Sequence, residues 1–307
     1  MAPVHIPVLL QETLEWLAPS PGEVFLDGTT GAGGHAVEIA RRVGPDGILV
    51  CADADPSMLE VARERLAGFP WVRLVRADFA DLARLREAAG GKAFDGALLD
   101  LGISSLQLDD PGRGFSFRVE GPLDMRRDPG SGGPTAASIL RDAREKDLAD
   151  LFYRFGEERF SRRIARAVVQ RRRTDPVRTT TELADLVAGA IPRRAWPRDI
   201  HPATRVFQAL RIAVNGELDS LAAFLEAIPR HLAPGGRVAV ISFHSLEDRL
   251  VKTAFRRHAA GREGEGVFLE RMTRKPVVPS EREARENPRA RSAKLRVAGR
   301  CDGGGGR

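Results

Sequence analysis

The chain has 307 residues, 42% hydrophobic and 29% charged, the balance of an ordinary globular protein with room for one large domain or two. No stretch approaches the roughly 20 apolar residues that a membrane helix needs, and the opening MAPVHIPVLLQETLEWL lacks the basic start and small-residue cleavage site of a secretory signal. Two widely separated cysteines, Cys51 and Cys301, form no disulfide framework, and neither they nor the six histidines show metal-ligand spacing; the expected setting is the cytoplasm, with no membrane and no metal.

The net charge of +6 is unevenly spread. Residues 1–140 hold 13 basic against 20 acidic side chains, residues 141–211 hold 17 against 10, and residues 249–300 hold 15 against 6. Arg supplies 43 of the 48 basic residues. A GC-rich genome would account for Arg in place of Lys, but not for the separation by region, which reads as an electrostatic footprint for a polyanion.

Along the chain, apolar runs at 22–27 (GEVFLD), 47–53 (GILVCAD), 71–78 (WVRLVRAD) and 94–102 (FDGALLDLG) predict strands. Helical patterns near 34–43, 56–67 and 80–90 separate them, the second with Asp55 as N-cap and Pro56 at its first position. Such alternation predicts βαβ units and a parallel sheet buried on both faces. The next strand is GGRVAVISF at 235–243, preceded by a long crossover helix from about Ala203 through FQALRIAVNGELDSLAAFLEAI. A crossover uses a dozen or so residues, so about 100, from 105 to 205, are surplus. They open Gly- and Pro-rich, continue as Arg-rich helical patterns, and predict an inserted, mostly helical domain. VFLERM (267–272) and KLRVAGR (294–300) predict a closing pair of strands, and CDGGGGR a disordered tail.

The first strand runs into DGTTGAGGH, residues 27–35. Glycines here allow positive φ and close approach to a helix N-terminus. Gly31-x-Gly33-x-x-Ala36 also fits the dinucleotide fingerprint, so an NAD-dependent oxidoreductase is an alternative. The acidic residues at four successive strand ends (Asp27, Asp53, Asp78 and Asp100) weigh against it. Carboxylates facing the crevice repel a pyrophosphate and suit a cationic sulfonium with amino and ribose groups, so S-adenosylmethionine is the expected cofactor. Asp27 would hold the aminoacyl group, Asp53 the ribose hydroxyls, and the ring of Phe79 would cover the adenine.

Seven blocks carry a family resemblance: HIPVLL (5–10), DGTTGAGGH (27–35), DLGISSLQLDD (100–110), RGFSF with GPLDMR (113–126), TRVFQALRIAVNGEL (204–218), ISFHSLEDR (241–249) and NPRARSAKLR (287–296). In this order they resemble the bacterial ribosomal RNA small subunit methyltransferase H family, whose members methylate N4 of a 16S rRNA cytidine near the decoding centre on the assembled small subunit. The resemblance implies a class I, Rossmann-like α/β methyltransferase sheet over residues 1–104 and 206–300. It also implies an inserted helical substrate-recognition domain over 105–205, with 301–307 as the tail. The implied cofactor set is Gly33, Gly34, His35, Asp53, Phe79, Asp100 and Gln107. Position 79 is often Tyr in such enzymes; Phe retains stacking and loses the hydroxyl. The oligomeric state is left open, a homodimer included.

Cytosine N4 is a poor nucleophile because its lone pair is delocalised, so methylation needs in-line positioning and hydrogen-bond acceptors for the amine. Amino-methyltransferases commonly place Asp/Asn-Pro-Pro-aromatic at the fourth strand's end. Here that place reads Asp100-Leu101-Gly102-Ile103, without the prolines or the aromatic. Asp100 is the candidate to orient the amine, bind the cofactor, or both. His244 is the second candidate proton acceptor, with helix capping beside Ser245-x-x-Asp248 as the competing reading. Candidate RNA contacts are Arg171, Arg172 and Arg173; Arg193, Arg194 and Trp196; and Arg289, Arg291 and Lys294. Phe115 and Phe117 are candidates for base stacking or for core packing. The missing Pro-Pro-aromatic run leaves a third reading, a non-catalytic RNA-binding assembly factor.

Overall fold

The computed structural model describes residues 7–259 and 267–302. Among the described residues seven strands form one sheet: β1 (Val24–Asp27), β2 (Ile48–Asp53), β3 (Val72–Arg76), β4 (Phe94–Asp100), β5 (Leu232–Ser242), β6 (Val267–Arg271) and β7 (Lys294–Asp302). Their spatial order is β3-β2-β1-β4-β5-β7-β6. β1 to β5 pair in parallel, and β7 lies antiparallel between β5 and β6. This is the expected Rossmann-like α/β sheet. Order reverses between β1 and β4, and a doubly wound sheet opens its ligand crevice at that switch point.

Alternate residues of the central strands supply two separate cores. Leu26, Ala97 and Leu99 pack on one face, and Phe25 and Leu98 on the other. Gly96 of β4 makes room for Phe25 of β1, since a Cβ there would lie 2.1 Å from the Phe25 ring. β3 is the less buried edge, with Arg73 and Arg76 outward.

The helix Pro56–Leu66 starts as expected, Asp55 accepting from Ser57 N–H with Pro56 in the first turn. The expected single helix from Ala203 is two, Thr204–Asn215 and Glu217–Ala227. Gly216 between them takes φ +59°, a left-handed cap that ends the first.

The chain divides into two compact units, Met1–Gly102 with Leu218–Arg307, and Ile103–Glu217. The expected return to the sheet domain at 206 falls instead after Glu217, because Thr204–Asn215 packs on the helix Glu145–Gly156. Gln208 Nε2 donates to Phe155 O at 3.0 Å, and a Cβ at Gly156 would lie 2.5 Å from Arg205 O. The second unit is helical around its own core, which includes Phe115, Leu148, Phe152 and Leu210. Cys301 and Asp302, expected in the tail, belong to β7; positions 303–307 lie outside the described residues. Among the described residues no helix is long and apolar enough to cross a membrane.

Candidate active site

β1 ends at Asp27 and turns through Thr29 to Gly33 into the helix Gly34–Val43. Gly31 (φ +50°) and Gly33 (φ +79°) take the left-handed backbone. At Gly31 a Cβ would have its nearest neighbour 4.0 Å away, so the turn lies open there. At Gly34 the added carbon would sit 2.6 Å from Pro7 Cγ, so this glycine lets Pro7 pack against the start of the helix. His35 stands behind it, buried, with Nε2 3.1 Å from Val8 O and Nδ1 3.6 Å from Asp100 Oδ2.

The four strand-end acids part company in the structure. Asp53 straps the turn, accepting from Gly31 N–H at 2.9 Å and Asp55 N–H at 2.9 Å. A carboxylate has about four lone-pair sites, so it can still take ribose hydroxyls. The Asp100 side chain is 23% exposed, yet its Oδ1 is buried with no hydrogen bond, and its N–H donates to Thr29 Oγ1 at 2.5 Å. Asp27, expected to hold the aminoacyl group, is 1% exposed and accepts from Thr29 N–H beneath the turn. Asp78 is tied down too, accepting from Ala80 N–H and from Ser220 Oγ at 3.0 Å. The rim therefore carries two acids, Asp53 and Asp100, with a third buried below.

That crowding raises proton affinity. Burial, and secondarily the Asp53 charge, push Asp27 up to about 7 against the hydrogen bond from Thr29. Burial first, then Asp27 and Glu247, hold Asp100 well above the usual carboxylate range. Phe79, expected to cover the adenine, is 3% exposed and meets Phe224 edge-on, ring centroids 5.8 Å apart.

At the end of β5, His244 caps the helix Ser245–Ala259. Its Nδ1 accepts from Glu247 N–H at 3.4 Å, while Glu247 accepts from Phe243 N–H and His244 N–H and lies 3.2 Å from His244 Nε2. His244 Nδ1 thus serves the helix start, while its Nε2 is buried beside the Glu247 carboxylate without a hydrogen bond. Glu247, 3% exposed, and Thr29 are site residues that the sequence reading passed over. Glu247 sits three places after His244, the capping-box position, which is the signal that could have found it.

In the helical unit, Gln107 is 5% exposed and completes a capping box, its Oε1 accepting from Ser104 N–H at 3.0 Å. Arg172 donates to Leu140 O and Ala143 O and is structural; Arg171 pairs with Asp175; Arg173 is exposed. Arg193 lies over Trp196, 4.2 Å from the ring, beside a cavity of about 480 Å³ that His201 also lines. Arg194 is exposed. Phe115 is core, and Phe117 packs between His201 and Phe207, each 4.8 Å away. In the sheet unit, Lys294 and Arg296 bind Asp248 at 3.3 and 2.7 Å, while Arg289 and Arg291 are exposed.

The family model described as the MraW methylase family matches residues 2–301. The chain belongs to that family. It is 51% identical to the ribosomal RNA small subunit methyltransferase H of Geobacter sulfurreducens, over 96% of this chain and 98% of that one. The Trichlorobacter lovleyi protein of the same name is 50% identical over 96% and 97%, and that of Anaeromyxobacter dehalogenans 51% over 95% and 96%.

A methylase of this family uses S-adenosylmethionine, and the rim fits it. Asp100 Oδ1, buried without a partner, and the open face at Gly31 leave acceptors and space where an amino or ribose group can bind. Carboxylates at both strand ends favour a cation and disfavour a pyrophosphate, which sets aside the dinucleotide reading. Asp53, Asp100, His35 and the Gly31–Gly33 turn come together at the switch point. Of the other expected cofactor residues, Gly34 opens the helix Gly34–Val43, Phe79 is buried just after β3, and Gln107 lies in the helical unit.

Proposed function

We propose that this MraW-family methylase transfers the methyl of S-adenosylmethionine to the exocyclic N4 amine of a decoding-centre cytidine in 16S rRNA, acting in the cytoplasm on the small ribosomal subunit. The relatives named above support the rRNA target, and the observation that carries the chemistry is Asp100, its side chain 23% exposed at the β4 end with an unpartnered buried oxygen. When bound, the cofactor supplies a cationic, electrophilic methyl group.

The residues divide the remaining work. Asp53 and the N–H groups of the glycine turn bind the cofactor. Asp100 accepts a hydrogen of the amine, drawing the nitrogen toward tetrahedral geometry so that its lone pair can point at carbon. Its carbonyl neighbours in Asp100-Leu101-Gly102 replace the Pro-Pro-aromatic run; Gly102 takes φ +108°, against the Phe243 ring. His244 acts as a cap. The helical unit recognises RNA through its excess of Arg, with Arg193 and Trp196 as a paired cation and stacking face.

The test is transfer of labelled methyl to small subunits from a strain lacking the modification, with nucleoside mass spectrometry of the product. Label in N4-methylcytidine is expected; a different methylated nucleoside, or none, refutes the assignment. Asp53→Ala should weaken cofactor binding by calorimetry at least tenfold.

A further inference from the structure

We propose that His35 and Asp100 hold one exchangeable proton between them, with His35 the positioning residue for Asp100, and that binding of a cationic cofactor expels this proton. The proposal rests on the cofactor reading above. It begins from the Val8 carbonyl, which can only accept, so His35 Nε2 carries hydrogen. Nδ1 is thereby the nitrogen that titrates, and it faces Asp100 Oδ2 at 3.6 Å. Two bare acceptors facing each other repel; one proton turns the contact into an attraction, as imidazolium with carboxylate or as carboxylic acid with imidazole.

The surroundings favour uptake. Asp100 feels Asp27 from β1 and Glu247 from the helix Ser245–Ala259, both acidic, and Asp53 of β2 bears on Asp27. Cys51, also on β2, is a buried thiol whose own ionisation is opposed by burial and by Asp27. On the histidine's own helix, Glu38 is paired with Arg41 and Arg42 on the outer side. The buried Asp100 Oδ1 lacks the hydrogen bonds that would stabilise a full negative charge.

A sulfonium brings a positive charge to this rim and removes the need for the proton, whereas the thioether left after methyl transfer brings none. The amine must shed a proton as nitrogen bonds to carbon and the carbon–sulfur electron pair returns to sulfur. The His35–Asp100 pair, emptied by the cation, is the acceptor for that proton, so the pair returns to its resting protonation as the charge on sulfur disappears.

The decisive measurement is calorimetric titration of the full-length protein with S-adenosylmethionine and, separately, S-adenosylhomocysteine, in buffers of different ionisation enthalpy. The sulfonium should release up to about one proton more than the thioether, and the ratio of the two affinities should rise by up to about tenfold per pH unit across the pair's titration. Equal proton counts would overturn the proposal. Independently, nitrogen-15 histidine spectra should show His35, assigned by its loss in His35→Gln, as the Nε2–H tautomer whose titration moves to lower pH in Asp100→Asn. An Nδ1–H tautomer, or a titration unmoved by Asp100→Asn, also overturns it. If Asp100→Asn fails to fold, the wild-type calorimetry decides. If neither ligand binds, the cofactor reading fails, which is distinct from both binding with equal proton release.

Discussion

Asp27→Asn should make the protein more stable, and the gain should depend on pH. Asp27 is 1% exposed, and its carboxyl moves from 3.8 to about 7 on folding. The folded state therefore keeps a proton that the unfolded state gives up at lower pH, and stability falls as pH rises from about 4 through about 7. At about 1.4 kcal/mol per unit, a rise of about three units amounts to about 4 kcal/mol of destabilisation, fully developed above pH 7 and absent below the unfolded pKa. Asparagine retains an oxygen for the Thr29 N–H and carries no charge to desolvate. Guanidinium unfolding of both proteins at half-unit pH steps measures the difference. The advantage of the variant should grow by about 2–3 kcal/mol between pH 5 and 7 and then level off. Parallel pH profiles would refute the reasoning, because they would mean that Asp27 is ionised at no greater cost in the fold than in the unfolded chain.

Other perturbations separate support from chemistry. Gly96→Ala places a carbon 2.1 Å from the Phe25 ring and should destabilise the protein by about 3 kcal/mol or more, partly recovered by adding Phe25→Leu, as read by thermal unfolding. His244→Asn preserves an N-cap, so methyl transfer should stay within about threefold of wild type; a loss of about a hundredfold would identify a proton-transfer role. Arg193→Ala should weaken binding to small-subunit rRNA and flatten its salt dependence by about one charge, while Trp196→Ala should weaken binding with the salt slope unchanged. Filter binding at several salt concentrations distinguishes the two.

The strands and first helices were legible because their signals are local. Gly34–Val43 and Pro56–Leu66 announce themselves by apolar spacing, the glycine turn and the Asp55–Pro56 start. The break at Asn215-Gly216 was legible in principle, as a left-handed cap, but the apolar periodicity runs through it and suggested one helix. The candidate site was legible as a set of residue types and illegible in depth. Asp27 and Asp53 occupy equivalent strand-end positions, yet one is buried under the turn and the other straps it. Asp78 is held by Ser220, and His35 by the backbone of Val8, partners no local pattern can name. Capping geometry explains His244 and Gln107 together: each sits in a motif rich in polar residues, and in each the side chain serves a helix end.

The charge distribution follows from what the two ligands require. Acidic groups at the β1–β4 switch point suit a sulfonium but raise the local energy of a phosphate backbone, so a methylase of RNA cannot rely on its cofactor rim to attract its substrate. Attraction must come from other stretches of chain, with enough cations to outweigh the rim. The 17 basic residues against 10 acidic over 141–211, and 15 against 6 over 249–300, meet that requirement, while residues 1–140 hold the acidic surplus. Because phosphate contacts act over about 10 Å at ordinary ionic strength and carboxylate effects on a bound cation act at contact, the two demands separate by distance. Salt should therefore weaken RNA binding steeply while leaving cofactor affinity nearly unchanged, and measuring both on one preparation between about 50 and 300 mM salt, about a 2.4-fold change in Debye length, tests the division directly. A cofactor affinity falling in parallel with that for RNA would show that the rim is governed by the protein's overall field and not by its own carboxylates.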